Sequence, residues 1–498
     1  MFDKKGFDCD KYLEVQSREI LNRVDGFDKL YLEFGGKICD DFHAMRVLPG
    51  YKPNTKIKML QMIKDSSEIV FCISAKDIEN RRIRGDFNLT YEDMVLKSVK
   101  DLRSFGLNVS SVIINRFSGE KKALKFQEFL RNMGVRSYLQ KEIEGYPADV
   151  EKIVSEEGYG QNPYVETSKP IVVVTGVAPG SGKMSFCLSQ MYHDSKEAIK
   201  SGFAKFETFP IWNLPMEHPV NIAYEASTAD IGDMNMVDPY HLNAYGVSSI
   251  NYNRDIENFP ILQSILKKMG YQDYKSPTDM GVSRAKDGIF DDSVISRAAS
   301  QEVIRRYFRH KKEKLFGIVG KDTIDRIEKL MQKMDLVETD RRVVGASRMT
   351  VEENILSRQD DSIFCCASAI ELCDGRIITG KNSNFLHSES AVILNTLKEL
   401  SGVPQDIHLI PENLIQGIVE MKKNFGGDDN SLDVSELLVA LAISAGINPS
   451  AAKALEQIPL LKNSEMHVTY IPTKGDDEGI RNLGINLTMD VDMTGNPI

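Results

Sequence analysis

The feature that most constrains this chain is a buried-strand run, Ile171-Val-Val-Val-Thr175, that passes through Gly176-Val-Ala-Pro-Gly-Ser-Gly-Lys183 into a segment able to continue as a helix from Met184 to Tyr192. A strand handed to a helix through a glycine-rich turn belongs to α/β folds, and it is where a phosphate loop sits. Glycines let the backbone bend sharply and bring its N–H groups against phosphate oxygens. A lysine neutralises the ligand's charge and the helix N-terminus adds its dipole. Gly180, Gly182 and Lys183 meet these needs, and Gly176, Ser181 and Ser185 complete the candidate loop set.

The loop departs from the usual G-x-x-x-x-G-K-[ST] pattern. Val177 stands where the first glycine is expected, with Gly176 one residue early, and Met184 replaces the hydroxyl residue that would hold magnesium, leaving Ser185 as a substitute. No clear apolar strand ending in Asp follows downstream as a second metal-holding element. The expectation is therefore a phosphate or nucleotide site with no metal ligands assigned, rather than an ATPase. The competing reading is a tight turn whose glycines only permit close helix–strand packing.

Around the loop, residues 10–210 alternate strand and helix patterns, which predicts a doubly wound, mostly parallel sheet. Strands are expected at Leu30–Phe34, Glu68–Ser74, Ser111–Asn115 and Ile171–Thr175, and helices at Tyr12–Val24 and Tyr91–Phe105. Ligands gather beyond the carboxyl ends of such strands, which brings in Asn115 and Arg116 as second contacts. Gly35-Gly36 and Asp77 with Arg81-Arg82 occupy equivalent strand ends.

Three domains are expected: an α/β domain over 1–215, a mostly helical middle domain over 216–341, and an α/β domain over 342–498. The middle domain has helical runs at Ile261–Met269, Asp292–Lys314 and Thr323–Leu336. The third opens with a hairpin, Ile363–Leu372 and Arg376–Thr379, turned by Asp374-Gly375, then a helix at Ser388–Leu400. Asp433-Val-Ser-Glu436 is a capping box and Asn448-Pro449 a helix start. The last strands are expected at Met466–Ile471 and Asn482–Met489.

Other polar segments point less directly to chemistry. Glu225–His241 concentrates carboxylates without the spacing of a calcium loop and also fits a solvated, turn-rich connection, and Ser276–Arg284 is polar around a glycine and also fits a helix-capping loop. Arg305–Lys312 is the strongest basic run and reads as a solvated helix face. His387-Ser-Glu389 after a hairpin has the H-x-E form of zinc nucleoside deaminases. The cysteines that would complete that zinc site are missing, since none follows Cys373. A deaminase-like topology without its metal remains open for this domain.

With 498 residues the chain exceeds one core, and 42% hydrophobic and 27% charged residues describe an ordinary globular protein. A net charge of −10 argues against broad attraction to nucleic acid or anionic lipid. Seven cysteines without framework spacing suit a reducing cytosol, and no apolar run is long enough to span a bilayer, so a cytoplasmic protein without membrane or nucleic-acid partners is expected.

Three stretches, Thr175–Lys183, Ala229–Leu242 and Asp374–Ser383, together resemble a bacterial family of uncharacterised proteins, domain of unknown function 1846. The resemblance runs over essentially the whole chain and implies a cytosolic bacterial protein of multidomain α/β architecture. Members have been labelled ATP-dependent peptidases, but no serine, cysteine or metal protease constellation is present. Two functions stand open: a binder of a nucleotide or phosphorylated small molecule at 176–183, or a non-catalytic binding or assembly protein, with homo-oligomers allowed in either case.

Overall fold

A computed structural model describes residues 4–39, 41–84, 89–271, 274–357, 365–426 and 430–491. The chain forms two compact units, Lys5–Ala299 and a second beginning at Ser300, with the boundary inside the helix Asp292–Leu315.

The first unit is built on six strands: β1 (Lys29–Phe34), β2 (Ser67–Ser74), β3 (Val109–Phe117), β4 (Arg136–Lys141), β5 (Ile171–Gly176) and β6 (Ser201–Phe206). They pair in the order β4-β3-β2-β5-β1-β6. Every pairing is parallel. All residues of β1 and β2 are buried, which explains why they read as continuous apolar runs rather than alternations.

The order places the loop. After β1 the chain skips one position, lays β2, β3 and β4 outward, and returns to insert β5 between β1 and β2. The turn after β5 therefore leaves the sheet at its centre, flanked by the carboxyl ends of β1 and β2, where ligands of such sheets bind. Helices α1 (Cys9–Val24), α2 (Tyr91–Ser104) and α3 (Lys183–Lys196) belong to this unit. Phe186, Leu188 and Met191 of α3 pack with Tyr31, Val172, Val174 and Phe203 from the sheet in one buried cluster. Each such side chain contributes roughly 1.5–3 kcal/mol by leaving water.

Sequence patterning missed β4 and β6. β4 is an edge strand with polar, half-exposed residues, and β6, Ser-Gly-Phe-Ala-Lys-Phe, mixes small and charged residues although nearly all of it is buried. Residues 216–299 carry short helices and an antiparallel pair, Asn235–Val237 with Ile250–Tyr252. Helix α4 runs Asn253–Lys268 straight through Pro260, instead of starting at Ile261. Ile256 and Phe259 on its first two turns are buried, and that burial offsets the backbone bond that proline removes.

The second unit holds helix α5 (Lys321–Lys333) and a four-stranded sheet of β7 (Ala367–Glu371), β8 (Ile377–Lys381), β9 (Glu465–Val468) and β10 (Asn486–Met489), in the order β8-β7-β9-β10. β7 is antiparallel to both neighbours, and β9 and β10 are parallel. The hairpin turns at Gly375, whose φ of +87° suits glycine, and α6 (Ser388–Ser401) follows it. Residues 363–364 of the expected first strand lie outside the described residues.

The Asp433–Glu436 capping box opens α7 (Val434–Ala445) with both halves formed. Asn448 caps the helix beginning at Pro449. Asn482, expected in a strand, instead closes the helix Lys474–Asn482, and β9 ends at Val468 rather than Ile471.

The basic run at 305–312 is not a simple solvated face. Arg305 is buried and donates to both oxygens of Glu465 at 3.1 and 3.0 Å, while Arg306 bonds Glu302 and Arg309 bonds Glu313.

Candidate functional site

The turn after β5 has the backbone that its glycines permit. Gly180 and Gly182 adopt φ of +76° and +85°, the left-handed region where a side chain is strained. Gly182 is the N-cap of α3 and makes no side-chain capping bond, so the first N–H groups of that helix have no side-chain acceptor from the cap. Asn115, from β3, holds the turn from behind: its Nδ2 donates to the Ser181 carbonyl at 2.7 Å. A Cβ on Gly182 would lie 2.7 Å from that same nitrogen, so this position accepts only glycine without rearrangement.

The turn forms one wall of a cavity of about 440 Å³ at the carboxyl ends of the strands. Gly176, Val177, Ala178, Pro179, Gly180 and Lys183 line it. The rest of the lining includes the apolar and aromatic side chains Met184, Phe203, Tyr224, Tyr252, Ile261 and Leu262. Phe209 stacks behind Tyr224, with ring centroids 5.3 Å apart and planes 19° from parallel.

Charge in the cavity is balanced. Lys37, Lys183, Lys205 and Arg254 face Glu33, Glu207, Asp233 and Asp255. Lys183 Nζ lies 3.7 Å from Glu33 Oε1, and Arg254 bonds Asp233 at 3.0 Å. Lys205 bonds Asp255 at 2.5 Å and Glu207 at 3.3 Å. Burial works against the Lys205 charge, but Asp255, Glu207 and Glu33 outweigh it and hold the ammonium firmly protonated. Burial pushes the Glu207 carboxyl up to about 7 even with Lys205 beside it, so this acid titrates near neutrality.

Residues 5–335 match the model of the domain of unknown function DUF1846, N-terminal, and residues 339–496 match its C-terminal counterpart. The chain belongs to the DUF1846 family. It is 49% identical to a UPF0371 protein of Clostridium botulinum (strain Eklund 17B / Type B) over 490 residues, covering 98% of this chain and 97% of that one. A UPF0371 protein of Clostridium tetani (strain Massachusetts / E88) is 46% identical over 490 residues, with the same shares.

Within this DUF1846 chain the expected site residues divide by position. Gly176, Gly180 and Lys183 line the cavity. Ser181 is buried within the turn, and Gly182 with Asn115 supports it from behind. Ser185, on the first turn of α3, is not among the lining residues. Arg116 turns away: with φ of +57° it pairs with Glu142 at 3.3 Å and is not among the lining residues.

Parts of both polar segments reach the cavity, through Thr228 and Asp233 from one and Pro277 and Met280 from the other. Asp238 instead caps the helix Pro239–Tyr245 and accepts from Thr278, while His241 contacts Ser276 at 3.0 Å. Sequence reasoning missed Glu33, Lys205, Glu207 and Asp255. The signal for Glu33 was local: β1 is a largely apolar strand with an acid next to its last residue, but that strand precedes the loop in the chain instead of following it.

No described helix of the DUF1846 chain is long and apolar enough to cross a membrane. In the C-terminal unit, Glu389 is fully buried at the start of α6, between Tyr470, whose hydroxyl donates to Oε2, and Ser388. Burial first, and then the Asp476 carboxylate, push Glu389 up to about 7. His387 Nδ1 sits 2.7 Å from Asp476, so the H-x-E element forms a buried polar network.

Proposed function

We propose that this protein binds a phosphorylated small molecule, with nucleotides the leading class, in the N-terminal unit. The observation that carries the reading is the position of Lys183: it stands at the uncapped start of α3 and lines the same cavity as the turn Gly176–Gly180. The phosphate rests against the N–H groups of the turn and helix start and against the Lys183 ammonium. The organic part lies along Phe203, Tyr224, Tyr252 and Leu262, a surface suited to a ring. Carboxylates such as Asp233 and Glu207 accept from hydroxyls of a sugar.

A thermal-shift panel of nucleotides and sugar phosphates tests this reading. A ligand that stabilises the protein at hundredfold excess over its Kd adds about 2.7 kcal/mol. The effect should vanish in Lys183→Ala. A broad panel without a lysine-dependent ligand contradicts the proposal.

A second reading, assembly, is favoured by a separate observation. Val439, Ile443 and Ile447 recur at helical spacing and are 59%, 56% and 81% exposed. Val439 and Ile443 stand on α7 and Ile447 just past its C-terminal cap, and such exposed apolar residues suit burial against another protein surface, including a second copy of the chain. Light scattering after size exclusion, with Ile443→Lys as the control, decides it: a stable oligomer lost in the variant supports assembly, and a monomer in both removes it.

A further inference from the structure

We propose that the phosphorylated ligand is taken up as its complex with a divalent cation of the magnesium class, held by Glu33 through the oxygen that does not face Lys183. This inference rests on the phosphate-binding reading above and names the form in which the ligand binds.

Glu33 is 7% exposed and lines the cavity, yet its Oε2 has no hydrogen-bond partner among the described residues. Its other oxygen, Oε1, lies 3.7 Å from Lys183 Nζ. A buried carboxylate oxygen without a donor is costly, and a native protein keeps one where something else satisfies it. A proton donor or a cation would do so.

The charge balance favours a cation. A phosphate that touches Lys183 stands beside the Glu33 carboxylate, and the cavity offers as many acidic as cationic side chains, with Lys205 and Arg254 already engaged by Asp255 and Asp233. A dianion entering this neutral setting meets repulsion from Glu33 unless positive charge accompanies it. A divalent cation between the phosphate and Oε2 converts that repulsion into coordination.

Hard oxygen donors select magnesium or a close analogue. Magnesium commonly uses one or two carboxylates together with ligand phosphate and water, rather than a cage made wholly of protein. The described residues hold no group of three or more His, Cys, Asp or Glu side chains placed for a metal, so the phosphate itself must complete this site. β1 supplies the acid from the strand next to β5, the position that the missing hydroxyl at Met184 leaves more important.

The test titrates the purified full-length chain with pyrophosphate by calorimetry, in excess Mg2+ and in EDTA, for wild type, Glu33→Gln and Lys183→Ala. Mg2+ is expected to tighten pyrophosphate binding at least tenfold in wild type. Glu33→Gln is expected to lose that enhancement while metal-free binding stays equal or strengthens, because the carboxylate repulsion is gone. Equal wild-type affinity with and without Mg2+, with binding still lost in Lys183→Ala, overturns the cation and leaves the phosphate site standing; so does full enhancement in Glu33→Gln. The wild-type comparison holds even if the variant fails to fold. Absence of Lys183-dependent pyrophosphate binding in either buffer overturns the cation proposal together with the reading beneath it.

Discussion

Lys183 Nζ lies 3.7 Å from Glu33 Oε1, joining the residue at the start of α3 to the acid near the end of β1 across the centre of the parallel sheet. Neither residue is near the other in sequence. The strand order creates the pair, because β5 inserts beside β1 only after β2, β3 and β4 are laid down.

The turn's shape depends on glycine at 182. Gly182→Ala places a side chain at φ of +85° and a Cβ 2.7 Å from Asn115 Nδ2, and should cost roughly 1–3 kcal/mol of stability. Urea unfolding checks this. The same variant should bind phosphate probes more weakly, since the N–H groups of the turn lose their alignment.

Asn115 acts on the turn without lining the cavity. Asn115→Ala removes its 2.7 Å bond to the Ser181 carbonyl, which is expected to cost about 1–3 kcal/mol. Arg116→Ala, by contrast, breaks an exposed pair with Glu142 and should change stability by no more than about 1 kcal/mol. Parallel urea titrations of the two variants compare them, and equal losses would contradict the positions assigned here.

Glu389 makes the C-terminal unit pH-sensitive. Its carboxyl is raised from 4.5 to about 7 by burial and by Asp476, so the folded state holds a proton that the unfolded chain releases. Stability from this group is full below about 4.5 and falls as pH rises through about 7, by up to ~3 kcal/mol. Glu389→Gln should therefore match wild type at pH 5 and exceed it at pH 8 in thermal melts. A gap that is the same at both values contradicts the assignment.

Arg341 anchors the second sheet. It is 1% exposed, pairs with Glu465, and donates to Thr488 Oγ1 and to the carbonyls of Met466 and Asn486 at 2.9, 3.0 and 2.8 Å. Arg341→Ala leaves buried acceptors unpaired and should cost about 3–5 kcal/mol, read by chemical denaturation. Arg305 remains on Glu465, so the loss should be smaller than in the double variant with Arg305→Ala.

Much of the fold was legible because its signals are local. β1, β2, β3 and β5 are apolar runs, α1 and α2 carry a helical period, and the Asp433–Glu436 box and the Asp374-Gly375 turn announce themselves within four residues. β4 and β6 were not legible, since neither presents an apolar run and both owe their place to neighbouring strands. Pro260 misled for the same reason: burial of Ile256 and Phe259 outweighs a local rule.

The loop of the site was legible and its surroundings were not. Gly180, Gly182 and Lys183 form a contiguous motif, whereas Glu33, Lys205, Glu207 and Asp255 come from three segments that only the sheet order gathers. Arg116, expected just past a strand end, lies inside β3, which runs on to Phe117, and its left-handed backbone accompanies a side chain paired with Glu142 rather than one lining the ligand cavity.

A crystal structure of the full-length protein grown with pyrophosphate and Mg2+ tests the central claim most directly. The account predicts phosphate density within hydrogen-bonding distance of the Gly180–Lys183 backbone and of Lys183 Nζ. An ordered turn with its cavity empty of phosphate at saturating pyrophosphate, or phosphate bound only elsewhere, would contradict it.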